Sequence, residues 1–296
     1  MTSLVLAVAA KNCSDPEKFM DFIGSDEFAN SDSVAVHIAH DDLFPSETVS
    51  RDFPDVYMCS CPADMSVLEL WGNAISRSHG DYVAILDIHC PPSPGWLLTA
   101  INQIKTGTPL FYGAVEPGWG IYDAGMIGYL VEYAQFKAPL PVVPGEVPGN
   151  NLVIRSDLLS THEELENKGF FKTFLLWKLR DQSGLVPLPV QGMAVIYQKS
   201  CQLRRYTGRR YWHGRCFGAT RHDNAGQPPR WACLLFSPLL PLIRVWRIWS
   251  VTGSHSQLRR AFIHFIFRIF LSELFWSMGE FTGYLSRNRS CCRKLE

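Results

Sequence analysis

The stretch GDYVAILDIHCPPSPGWL, Gly80 to Leu97, decides how the rest of the chain is read. Tyr82–Asp87 is a short apolar run, and Pro91, Pro92, Pro94 and Gly95 punctuate the segment after it. An apolar run of this length bounded by polar residues and turn formers reads as a buried strand. It ends in Asp87-Ile88-His89. A carboxylate and an imidazole two residues apart converge on one ion if the chain turns there, and the pair suits Mn²⁺ or another first-row divalent ion. Such an ion can bridge the two phosphates of a nucleotide and stabilise a leaving diphosphate.

The same pattern extends outward. Leu4–Ala10, Ser33–Ala39, Asp55–Cys59 and Leu110–Val115 read as further strands. MTSLVLAVAA is therefore a first strand rather than a signal peptide, since it lacks a basic start and Lys11 closes it. Between the strands, about Asp15 to Ser25 suits a helix with Pro16 in its first turn. Met65–Ser78 carries Leu68, Trp71, Ala74 and Ile75 at helical spacing. This alternation predicts an α/β domain over residues 1–200, with a mainly parallel sheet flanked by helices. Ligands of such sheets sit beyond the carboxyl ends of the strands. His40-Asp41-Asp42 and Asp87-Ile88-His89 would face one crevice there. Residues 139–148 hold four prolines and read as a loop or lid. Asn150–Arg155 returns to a strand pattern, and Phe170–Arg180 suits a helix ended by Gly184 and Pro187.

Charge divides the chain. It carries 28 Lys plus Arg and 28 Asp plus Glu, but residues 1–200 are net −12 and residues 201–296 net +12. Hydrophobic content of 47% with 19% charged residues excludes a disordered chain. The nine cysteines show no CxxC or zinc spacing, which favours reduced thiols. Beyond residue 200, arginines interleave with Tyr206, Tyr211, Trp212 and Phe217. Trp231–Ile243 is apolar but, at 13 residues, too short to span a bilayer. In the last apolar stretch, Ala261–Leu285, a stripe of Arg260, His264, Arg268 and Ser272 recurs every four residues. Residues 201–296 thus read as amphipathic helices on an anionic membrane surface, peripheral or shallowly inserted. Nucleic acid is the poorer partner, because it would leave the apolar runs in water.

Taken in order, these segments resemble glycosyltransferase family 2, bacterial membrane-associated type. Its central block has an aromatic lead-in, an apolar strand, D-x-D, a Pro-rich turn and Trp-Leu. Here His89 replaces the second Asp, as in some related enzymes. Asn73 and Ala74 match the family's helix before that block. VPGNNLVIRSDLL, Val147 to Leu159, is similar to its acceptor-side segment. RRYWHGRCFGATR, Arg209 to Arg221, and SMGEFTGYL, Ser277 to Leu285, are similar to its C-terminal motifs.

The resemblance implies the GT-A (nucleotide-diphospho-sugar transferase) fold. It implies an inverting, metal-assisted hexosyltransferase using Mn²⁺ or Mg²⁺, a nucleotide-sugar donor and a glycan or lipid-linked acceptor. The setting would be polysaccharide biosynthesis at the cytoplasmic face of the membrane. Asp41, Asp42, Asn73, Asp87, His213 and Arg215 would bind the donor. Asp87 and His89 would hold the metal, and Asn150, Asn151 and Trp177 would lie on the acceptor side. The family places a catalytic acid early in the helix after the acceptor segment, where this chain reads Gly169-Phe170-Phe171-Lys172-Thr173-Phe174. Lys172 stands at the acid's position. Either a base has moved, with Glu163, Glu164 and Glu166 as substitutes upstream, or the acceptor is unusual, or the chain is a non-catalytic scaffold or binding protein.

Overall fold

Strand β1, Leu4–Ala10, is buried along its whole length. It lies between two parallel neighbours, β2 (Val34–His40) and β4 (Tyr82–Asp87). Strands buried on both faces have no solvent side to make polar, which is why both β1 and β4 read as unbroken apolar runs. A computed structural model describes residues 2–31, 33–140, 146–161, 165, 169–221 and 228–286. Among them, β3 (Val56–Ser60), β5 (Leu110–Pro117), β6 (Asn151–Arg155) and β7 (Leu188–Tyr197) complete a sheet of order β3-β2-β1-β4-β6-β5-β7. Pairing is parallel from β3 to β4, and β6 runs antiparallel to both β4 and β5. The sheet is mixed and mainly parallel, as expected. Strand β7 was not expected: its exposed and buried residues are mixed, and Pro189 and Gly192 interrupt the apolar pattern.

The chain divides into two compact units. The first comprises Met1–Glu116 and Phe136–Tyr197, and the second Pro117–Gln135 and Gln198–Leu295.

In the first unit, the helix expected from about Asp15 to Ser25 is α1 (Glu17–Ile23), and a second short helix, α2 (Asp26–Ala29), follows it with Ser25 as its N-cap. Helix α3 is Ser46–Asp52. Helix α4, Val67–Ser76, opens with a capping box in which Ser66 and Glu69 satisfy each other's end of the helix. It packs on β1, β2 and β4, and Trp71 Nε1 donates to the Leu86 carbonyl at 2.6 Å. Helix α5, Trp96–Lys105, starts where the Glu27 carboxylate accepts from Gly95 N at 2.9 Å and Leu98 N at 2.8 Å. Trp96 is fully buried and donates to Asn151 Oδ1 at 2.9 Å. The Asn151 amide donates in turn to the carbonyls of Ala114 at 2.7 Å and Met193 at 3.0 Å. One side chain on β6 thereby ties α5, β5 and β7 together. Gly113 allows that approach, since a Cβ there would lie 1.7 Å from the Met193 carbonyl.

The second unit is helical: α6 (Gly125–Glu132), α8 (Leu203–Thr220), α9 (Arg230–Phe236), α10 (Leu240–Val251) and α11 (Ser256–Ser286). Helix α7, Lys172–Ser183, belongs to the first unit. Helices α8 and α11 pack together through two reciprocal glycine pairs. Cβ atoms at Gly214 and Gly218 would meet the carbonyls of Trp276 and Glu280 at 2.1 and 2.4 Å. Cβ atoms at Gly279 and Gly283 would meet those of Tyr211 and Arg215 at 1.9 and 2.3 Å. Small residues four apart on both helices let the backbones touch.

Ionic groups fill the space beside this contact. Glu273, fully buried, accepts from Arg210 at 2.8 Å and from Arg244. Both guanidiniums lie over the Trp276 ring, at 4.2 and 4.6 Å. His213 stacks edge-on against Trp276 at 4.7 Å. The resulting desolvation, with Arg210 beside it, pushes the His213 pKa from 6.5 down to about 3. Arg209 and Tyr206 hold Glu132 at 2.9 and 3.1 Å.

Two expectations are corrected here. The run Trp231–Ile243 continues in successive helical segments from Arg230 to Ser254, and these 25 residues are long and apolar enough to cross a membrane, as is α11. A helix tolerates Arg244 and Arg247 within that length, whereas a count of uninterrupted apolar residues stops at the first of them. Among the described cysteines, Cys13, Cys59, Cys61, Cys90, Cys201 and Cys233 are free thiols, but Cys216 is disulfide-bonded.

Asn151→Ala would leave the Trp96 indole N–H and two buried carbonyls without their partner. We expect it to lower the unfolding free energy by about 2–4 kcal/mol, read as a lower urea midpoint at unchanged slope. His213 is neutral when folded and takes up a proton near pH 6.5 when unfolded, so its share of stability falls as pH drops from 6.5 toward 3. Unfolding followed by circular dichroism over that range should show a shallower pH dependence in His213→Gln.

Candidate nucleotide and metal site

Strand order reverses between β1 and β4: β2 and β3 follow β1 on one side, and β4 lies on the other. In α/β sheets ligands bind at such a switch, beyond the carboxyl ends of the strands. Ile88 N donates to the Ala9 carbonyl at 3.1 Å, and His89 Nε2 meets the Lys11 carbonyl at 2.9 Å. The D-x-H segment therefore crosses this point. Asp87 is buried, and its Oδ1 accepts from His89 N at 2.9 Å. The following Pro-rich turn is fixed by β7: Ser93 N donates to the Ala194 carbonyl and Ile196 N to that of Pro91, both at 2.9 Å.

The turn after β1 supplies residues that the sequence reading missed. Lys11 is buried, donates to the Ala63 carbonyl at 2.6 Å and pairs with Asp41 at 3.4 Å. Asn12 has φ 54°, a left-handed conformation that asparagine tolerates, and its N–H donates to Asp41 Oδ2 at 2.9 Å. Leu43 N donates to the other Asp41 oxygen at 3.2 Å. Asp41 thus clamps the ends of β1 and β2, while Asp42 beside it is exposed. Burial, with Asp87 and Asp41 nearby, pushes the Cys13 thiol up to about 12 and keeps it protonated. The only signal for this corner was a lysine and an asparagine closing an apolar strand.

The remaining candidates take varied positions. Asn73 on α4 donates to the Glu69 carbonyl at 3.0 Å and accepts from Arg77 at 2.9 Å. Asn150 is fully buried with Nδ2 2.9 Å from Cys90 Sγ. Trp177 on α7 is partly exposed and packs edge-on against Phe174. Lys172 begins α7, donates Nζ to the Val147 carbonyl and packs its methylenes against Gly149. Trp71 meets the same glycine and, through its bond to Leu86, connects this corner to the residue before Asp87. His213 and Arg215 belong to the second unit. Glu163, Glu164 and Glu166 lie outside the described residues.

Among the described residues, no three His, Cys, Asp or Glu side chains gather as a metal-binding group. The donor set nevertheless fits a divalent ion that takes its other ligands from a nucleotide. The Lys11 carbonyl can only accept, so His89 Nε2 carries hydrogen and a neutral ring has its lone pair on Nδ1. Asp87 adds a hard oxygen donor from the same turn.

No family model and no curated protein matches the sequence. Solved structures resemble the chain in fold. The mannosyltransferase PcManGT from Pyrobaculum calidifontis, solved with GDP-mannose and Mn²⁺, superposes with a TM-score of 0.54 at 14% identity, covering 93% of this chain and 86% of that one. Residues 1–349 of TarS from S. aureus give 0.47 at 12% identity, over 91% and 81% of the two chains. Glucosyl-3-phosphoglycerate synthase from Mycobacterium tuberculosis, solved with Mn²⁺, UDP and phosphoglyceric acid, gives 0.48 at 16%, over 77% and 80%. Of these three, the first has a TM-score above 0.5. With a mainly parallel seven-stranded sheet whose order reverses between β1 and β4, this likeness gives the chain the nucleotide-diphospho-sugar transferase, or GT-A, fold.

Proposed function

We propose that this chain is an inverting glycosyltransferase that moves a hexosyl group from a nucleotide-diphosphate donor to a glycan or lipid-linked acceptor. The observation that carries this reading is Asp87-Ile88-His89 crossing the β1–β4 switch beside Lys11 and Asp41. Asp87 and the Nδ1 side of His89 would hold Mn²⁺ or Mg²⁺. When bound, that ion supplies positive charge opposite the leaving diphosphate. Exposed Asp42 accepts hydrogen bonds from the nucleoside, and Asp41 keeps the turn in place by holding Lys11, Asn12 and Leu43. Asn73 supports the donor side through Arg77. Asn150, Asn151 and Trp177 form the acceptor side, with Asn151 acting through the strands it joins. His213 and Arg215 are assigned to the donor by family resemblance alone.

Lys172 favours a second reading. Inverting transfer needs a group to take the acceptor proton as the bond forms, and Lys172 instead donates to the Val147 carbonyl and positions the acceptor-side segment. A nucleotide-sugar-binding scaffold in polysaccharide assembly would need no base.

A membrane setting rests on a separate observation. Trp231, Leu235, Leu239, Leu242, Trp246 and Trp249 recur every three or four residues along α9, the short turn Ser237–Leu239 and α10, and all are exposed. Phe267 on α11, at 74% exposure, and Ile263 add to the apolar surface, with Arg260 and Arg268 nearby in sequence. Trp and Arg together suit the headgroup layer of an anionic cytoplasmic leaflet.

Calorimetry with UDP- and GDP-sugars should show binding that requires Mn²⁺ or Mg²⁺, weakened about tenfold or more by Asp87→Ala or His89→Ala. Binding with turnover on an acceptor panel supports the transferase, and binding without turnover supports the scaffold. Absence of nucleotide binding would exclude both. Cosedimentation with phosphatidylserine vesicles should fall in the double variant Leu242→Ser/Trp246→Ser. It should weaken with salt, since each basic residue near the surface contributes about 1 kcal/mol.

A further inference from the structure

Strand β3 forms the edge of the sheet, and two cysteines sit at its end. Cys59 Sγ and Cys61 Sγ are 3.8 Å apart, and both thiols are free. Cys59 is partly exposed and Cys61 is buried. Residues i and i+2 of a strand point to the same face, which brings alternate cysteines together.

The spacing decides the chemistry. A disulfide needs sulfurs about 2.05 Å apart and Cα atoms within about 6.8 Å. Two positions along an extended strand separate Cα atoms by about 6.6 Å, near the upper limit. Closing the sulfurs would also strain a backbone held by Cys61 N donating to the His40 carbonyl at 2.9 Å. A tetrahedral centre with sulfur bonds of about 2.3 Å instead sets two thiolates about 3.8 Å apart. The two thiols, in direct S–H···S contact, already have the separation that two thiolates take on one tetrahedral ion.

We propose that Cys59 and Cys61 form a binding site for a single thiophilic centre, a soft metal ion or trivalent arsenic, that bridges the two sulfurs. Thiolates are the side-chain ligands that select soft ions. Partial exposure of Cys59 on an edge strand gives access. With an organic arsenic(III) oxide the step balances without an oxidant. Two S–H bonds and the arsenic–oxygen double bond break, two S–As bonds form, and both protons leave with the oxygen as one water.

The test uses the full chain, reduced, with phenylarsine oxide as the probe. One equivalent should add a single phenylarsenic group per chain. It should also slow iodoacetamide alkylation of both Cys59 and Cys61 by about tenfold or more, because a capped sulfur is no longer a nucleophile. Peptide mass spectrometry reads both outcomes. Cys59→Ser should abolish the protection of Cys61, Cys61→Ser that of Cys59, and dimercaptopropanol should reverse it in the wild type. Unchanged alkylation of Cys59 in the presence of the arsenical would overturn the proposal. So would equal retention of arsenic by the Cys59→Ser variant. Should Cys61→Ser fail to fold, the wild-type protection and the Cys59→Ser variant, at the partly exposed position, still decide the matter.

Discussion

The carbonyl of Lys11 and the imidazole of His89 join the ends of β1 and β4 where the sheet changes direction. Much of the first unit is arranged around that junction. β1 and β4 are buried along their whole length, so their ends are set by the core rather than by solvent. Trp71 reaches the last carbonyl before Asp87 from one layer, and the Pro-rich turn is pinned by β7 from another. A buried cation and a buried carboxylate, Lys11 and Asp41, complete the corner. Such a pair is costly to desolvate and is kept in place by the backbone groups that satisfy it.

Much of this was legible in the sequence, and for a physical reason. Strands covered on both faces leave unbroken apolar runs, so β1 and β4 announce themselves, and the polar residues at or just after the ends of β2 and β4 stand out against the apolar pattern. β7 did not, because its partly exposed residues, Pro189 and Gly192 break any simple period. Lys11, Asn12 and Cys13 were also missed. Buried polar side chains are chosen by a single neighbour rather than by a repeating pattern, so no periodicity marks them. The acceptor-side asparagines were visible as a motif, but not that Asn151 would be a structural tie between α5, β5 and β7.

The charge imbalance of the second unit also takes a different form in three dimensions. The excess of arginine is not wholly a surface property. Arg209, Arg210, Arg221 and Arg244 are engaged with Glu132, Glu273 and Glu280. Two of them lie over the Trp276 ring. Arg260 and Arg268 face outward instead, as does His264, whereas Ser272 of the same four-residue stripe is fully buried. The stripe therefore passes from a solvent face into the helix contact along α11, a transition that spacing alone does not reveal.

The paired glycines of α8 and α11 carry a consequence for how this chain can drift over time. At each of Gly214, Gly218, Gly279 and Gly283 the would-be side chain meets backbone, not a side chain that can turn aside. A compensating change in the facing helix cannot create room, because there is no side chain there to shorten. The usual route by which cores diversify, one residue shrinking as its neighbour grows, is closed at these four sites. Repacking in the second unit is left to positions where side chain meets side chain, such as Phe262, Phe265 and Ile269, while these four glycines hold the register of the two helices.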